Sequence, residues 1–276
     1  MRHAATMAVL VGCLALAGAA TAHTPYLKPT TFAPSRDVVT VEAALTEGNF
    51  FVPDIPIRGE GGFWATGENG SPAKVDAVTA LKEFIAVEVP LTAQGTWRIS
   101  TGERAGRSAK WARIDGAWKM VRPAGAPGGG GGRAVDEAAV PTGAETMTSQ
   151  SFLRAETYVT RGAPTRGALK PTGQGLELEP ITHPNEIFAG EAFKFRLLDG
   201  GKPVQGVEFN ISRAGDAYAE RRYAYSAKTD PKGEAAVTFD QPGAYVLQTR
   251  YPVRPEGSTD PLPRSASYTL TFEVTR

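Results

Sequence analysis

Apolar and polar positions alternate in short runs along most of this chain. Val38-Val39-Thr40-Val41-Glu42-Ala43, Phe84-Ile85-Ala86-Val87-Glu88-Val89 and Thr96-Trp97-Arg98-Ile99-Ser100 are rich in β-branched and aromatic residues. Each is bounded by nearby Gly or Pro, and each predicts a strand. In "AKWARIDGAWKMV" two aromatic-bearing runs flank Asp115-Gly116. That dipeptide suits the positive φ angles of a type I′ turn, so the segment predicts a β-hairpin. "FLRAETYVT" predicts a further strand. From Leu176 the pattern becomes regular: "LELEPI", "EAFKFRLLDGGKPVQGVEFNISRAG", "KTDPKGEAAVTF", "PGAYVLQTRY" and "SASYTLTFEV" read as strands separated by turns.

Between the hairpin and "FLRAETYVT" lies "RPAGAPGGGGGRAVDEAAVPTGAE", with glycines at 128 to 132. Five consecutive glycines do not hold one conformation cheaply. The stretch from about 123 to 142 reads as an insertion into a surface loop. Pro164, Pro171 and Gly173 mark a domain junction. The expectation is an all-β chain of two β-sandwich domains. Residues 23–168 form an N-terminal β domain carrying the Gly-rich insertion. Residues 173–276 form an immunoglobulin-like sandwich, since short strands recur with turn chemistry at the spacing of that architecture. The likeness is one of architecture, because a Cys pair and a buried-Trp signature are missing from it.

The front of the chain changes the picture. Arg2 precedes a short apolar run from Ala8 to Ala17, and Ala20-Thr21-Ala22 presents small residues where signal peptidase cuts. This is the pattern of a secretory leader, residues 1–22, rather than a membrane span. Cleavage after Ala22 would leave His23 first. Ala17-Gly18-Ala19 and Gly18-Ala19-Ala20 satisfy the same small-residue rule. The periplasm is the expected location. A lipoprotein anchored through Cys13 is the alternative, since Leu10-Val11-Gly12-Cys13 resembles a lipobox. Against it, the residues after Cys13 stay apolar.

Charge then narrows the function. The chain has Lys+Arg 30 and Asp+Glu 29, and only Arg2 falls in the leader, so the remainder carries 29 of each sign. Such a balance does not favour nucleic acid or an anionic membrane surface as partner. The single Cys lies in the leader, so the exported chain has no disulfide partner and no thiolate for a metal. Its histidines are His23 and His183.

Those two residues carry the candidate chemistry. An N-terminal His23 would hold an α-amine and an imidazole on one residue. The amine, with a pKa of about 7.7–8.0, yields its proton to a metal near neutral pH. Pro25 has no N–H, so a metal cannot wrap through successive backbone amides beyond Thr24. The amine–imidazole pair is what remains. A second imidazole from His183 would complete a three-nitrogen histidine brace, a planar set that suits Cu(II) first and Ni(II) next. The bland alternatives are a dangling terminus for His23 and a solvated loop residue, before Pro184, for His183. Tyr218, Tyr223 and Tyr225 read as one face of a strand, with Arg221 and Arg222 in a solvated turn. Asp230 in "TDPKGEA" reads as a turn residue rather than a calcium ligand. The chain carries no Gly-x-Ser-x-Gly elbow, phosphate loop or HExxH.

The run "NEIFAGEAFKFRLLDGGKPVQGVEF", then "TDPKGEAAVTF" and "PGAYVL", resembles a family of exported bacterial proteins, domain-of-unknown-function family 4198. That family was formerly labelled NikM-like and associated with nickel transport. A His directly after the leader, "VVTVEAALTEGNF" and "GTWRISTG" are similar to its opening half. The resemblance implies a periplasmic protein linked to metal uptake, with membrane transport components as partners. The expected function is therefore a periplasmic accessory protein that binds copper or nickel. A histidine-brace copper oxidase and a metal-free structural or partner-binding sandwich are the alternatives. Fold and context alone do not choose among them.

Overall fold

A computed structural model describes residues 23–47, 51–57, 61–123, 125, 133–215, 223–255 and 257–276. The expected leader with Cys13, the glycines 128 to 132, Tyr218, Arg221 and Arg222 lie outside the described residues.

The described chain is all-β, with two single-turn 3-10 segments. Three sheets build it. The first joins strands Thr24–Pro29, Val38–Thr46, Ile85–Pro90 and Val78–Ala80, with Ile55–Pro56 added beside Val38–Thr46. The second has eleven strands and runs through the whole molecule. The third contains Leu176–Pro180, Ala192–Asp199, Lys202–Pro203 and Glu234–Thr238. The Asp115-Gly116 turn is present, with φ values of 53° and 78°, and it joins antiparallel strands Arg104–Ile114 and Ala117–Arg122. Beyond the glycine run, Ala134–Asp136 pairs in parallel with Ala117–Arg122, so this part of the insertion extends the sheet.

Alternation explains the layers. In Arg264–Val274, residues Ala266, Tyr268, Leu270, Phe272 and Val274 point to one buried face. They meet Phe193, Phe195 and Phe209 in the larger core. Phe193 lies 5.2 Å from both Phe195 and Phe272, ring centre to ring centre. Such aromatic pairs add about 0.5–1.5 kcal/mol each beyond their area burial. The opposite face of the same strand carries Thr269 and Thr271, also buried. Thr269 Oγ1 donates to the Pro25 carbonyl at 2.8 Å, which fastens the first sheet across the central one. A second core joins Leu27, Val41, Val87 and Val89 of the first sheet to Phe63, Ile99 and Val159.

The strand Thr146–Arg161 links the two cores. One edge pairs with Arg104–Ile114 and then Gly95–Ser100. The other pairs in parallel with Arg264–Val274, from Gln150 against Arg264 to Thr157 against Thr271. Val159 serves one core and Tyr158 the other. Cores therefore divide near residues 159–168, while the sheet does not divide at all.

Candidate metal centre

His23 is the residue before strand Thr24–Pro29, and Thr24 pairs with Thr46. Glu47 directly follows Thr46 at the end of its strand. Leu45 in turn pairs with Ile55, which brings Asp54 alongside. Register thus brings His23 to two acids that lie well over twenty residues further along the chain. One ligand atom from each of His23, Glu47 and Asp54 lies within 4.8 Å of the others, and all three side chains are exposed. The local geometry is pinned by backbone contacts. The Asp54 amide donates to the Leu45 carbonyl at 3.0 Å, and Asp54 Oδ2 accepts from the Glu47 amide at 2.6 Å. His23 also borders a cavity of about 490 Å³, lined among others by Glu208, Asn210, Gln248 and Thr249.

His183 lies elsewhere. It follows strand Leu176–Pro180 and is buried, 3% exposed. The Asn185 amide donates to Nδ1 at 3.1 Å. Nε2 sits 3.0 Å from the Thr165 carbonyl and 3.0 Å from Thr96 Oγ1. A backbone N–H only donates and a carbonyl only accepts, so the ring is the neutral tautomer with its proton on Nε2. Burial pushes its pKa below the usual histidine range, against the opposing pull of the Thr165 carbonyl and Glu186. Both ring nitrogens are engaged by the protein.

The structure does not bring the two histidines together. Pro25 is held by Thr269, which pairs with Ala155. His183 sits by Thr96 Oγ1, which also bonds Thr160 Oγ1 at 2.9 Å. Ala155 and Thr160 are separated by five residues of one strand, about 17 Å at the usual rise. Glu47 and Asp54 stand in the place beside His23 that the brace reading gave to His183. No spacing in the sequence announces them, because only strand register joins them to His23. Asp230 is a turn residue: its Oδ1 accepts from the Lys232 and Glu234 amides, both at 2.8 Å. Tyr225 packs edge-on against Phe239 in the core.

Fold and site define a class: an all-β protein of sandwich architecture with an exposed nitrogen–oxygen donor cluster at the start of its first described strand. The family described as a domain of unknown function (DUF4198) matches residues 20–253, and the chain belongs to it. No curated protein matches the chain. Among solved structures it is similar to the D0-D1 domain of Intimin, at 12% identity over 91% of this chain and 97% of that one, with a TM-score of 0.23. It is also similar to the BSP domain of a biofilm associated protein, at 11% identity over 90% of this chain and 29% of that one, with a TM-score of 0.20.

Proposed function

We propose that this chain is exported to the periplasm, is cleaved after Ala22, and binds Cu(II) or Ni(II) through His23 as an accessory of metal uptake or handling. One observation carries the reading: the convergence of His23, Glu47 and Asp54 within 4.8 Å. The α-amine and imidazole of a terminal His23 supply two nitrogens, and the carboxylates supply oxygens. A tetragonal nitrogen–oxygen set suits Cu(II) or Ni(II). Two neighbouring carboxylates gain from a cation between them. The oxidase alternative is less well supported, because its second imidazole is already bonded at both ring nitrogens.

Mass spectrometry of the secreted chain, followed by Cu(II) and Ni(II) titration, tests this. The expected product begins at His23 and binds one metal ion. One extra residue before His23, or Glu47→Gln combined with Asp54→Asn, should weaken binding at least tenfold. A different N-terminus, or binding that ignores both changes, would refute the proposal.

A further inference from the structure

A second cavity, of about 430 Å³, has no part in the metal reading. It opens over the paired strands Phe63–Thr66 and Gly95–Ser100, beside the segment that leads into Leu176–Pro180. Trp64, Arg98, Ser100, Arg154, Glu156 and Gln174 are among its lining residues. Beneath it lie four charged residues, Arg98, Arg154, Glu156 and Glu177, all of them buried. Alternation places them there: Arg154 and Glu156 share one face of the long strand, while Ala155 takes the other, apolar face. Arg154 Nη1 meets Glu177 Oε1 at 3.0 Å, and Arg98 Nε lies 4.0 Å from Glu156 Oε1. Tyr268 donates to Glu156 Oε2 at 2.8 Å.

Burying such charges carries a large desolvation cost, and apolar side chains of similar size often stabilise a core as well or better. Buried, paired charges under a cleft therefore mark a candidate binding site. The groups say what kind. Two guanidinium groups face two carboxylates, and the further lining carboxylate, Glu103, is paired with Arg264 at 3.2 Å, so the site is formally neutral and a net-charged ligand would unbalance it. Donors and acceptors converge together, which matches hydroxyl groups, since each of these donates and accepts. Arg154 Nε is buried with no hydrogen-bond partner among the described residues. Trp64 lines the mouth, 36% exposed, and offers an apolar ring surface beside the polar floor. Gly102, at a φ of 62°, leaves room for it, since a Cβ there would approach Trp64 Nε1 to 3.3 Å. The volume lies within the range of small-ligand sites.

We infer that this cleft binds a neutral saccharide, with the sugar ring against Trp64 and its hydroxyls over the Arg98–Glu156 floor. The test is saturation-transfer NMR and calorimetry on the mature chain. The probes are N-acetylglucosamine, methyl β-glucoside and glucuronate, each at low and high NaCl. Neutral sugars should bind, with an affinity that salt leaves unchanged. Trp64→Ala and Gln174→Ala, which leave the buried charges in place, should each weaken binding, Trp64→Ala by at least tenfold. Circular dichroism confirms that both variants fold. Glucuronate bound alone and released by salt would overturn the inference in favour of an anion site. Absence of binding to every probe, or sugar binding that both folded variants retain, would also overturn it.

Discussion

Replacing His183 by Ala separates a structural histidine from a metal ligand. The substitution removes an imidazole that is 3% exposed. It takes away the partner of the Asn185 amide at 3.1 Å and of the Thr165 carbonyl at 3.0 Å. Thr96 Oγ1 loses less, because it still bonds Thr160 Oγ1 and accepts from the Thr165 amide. Leaving a buried donor or acceptor unpaired costs about 1–3 kcal/mol each. Both orphaned groups sit where water reaches in part, so the low end applies. With the lost packing, the total is about 3 kcal/mol. A chain of this size loses about 2–4 °C in Tm per kcal/mol, so Tm should fall by about 6–12 °C. Thermal unfolding by circular dichroism reads that shift, and Cu(II) titration of the folded variant should return the parent affinity. A Tm unchanged within a degree, together with a tenfold weaker Cu(II) site, would refute the reasoning and restore His183 as a ligand.

Two further outcomes follow from buried charge. Arg154→Ala strands Glu177, whose carboxyl is 2% exposed, and should cost about 3–5 kcal/mol by urea denaturation, whereas Arg154→Met with Glu177→Leu should recover most of that loss. Stability should also depend on pH through His183: its folded pKa is depressed, so the unfolded chain binds the extra proton first, and stability present above about pH 6.5 is lost as pH falls below it. Urea midpoints measured from pH 7.5 to 5.5 should show this slope, and His183→Gln should flatten it.

Much of the fold was legible because its signals are local. The Asp115-Gly116 hairpin follows from two residues, and the strands of residues 38–46 and 264–274 follow from alternation and β-branching. The pairing of Gln150 with Arg264 was not legible, since a parallel ladder between strands more than a hundred residues apart leaves no local trace. The candidate site divides the same way. His23 stood out through its place after the small residues Ala20-Thr21-Ala22. Glu47 and Asp54 look like ordinary surface acids until register gathers them. His183 reads as a solvated loop residue because Pro184 follows it, yet Thr96, Thr165 and Asn185 enclose it. The buried charges were hidden inside strands whose other face is apolar, as Arg154 and Glu156 flank Ala155.

The strand Thr146–Arg161 also determines how this protein can be divided. A fragment that starts at the junction near residue 173 keeps every strand of the third sheet and nearly all of the aromatic core. It nevertheless strips the parallel partner from residues 264–271, leaving eight positions of open edge on a long, mostly buried strand. Such an edge recruits whatever strand is nearest, including its own copy. Recombination at the apparent joint would therefore yield a sticky piece rather than a portable module. The unit that can be inherited or engineered intact is the pair of sandwiches together.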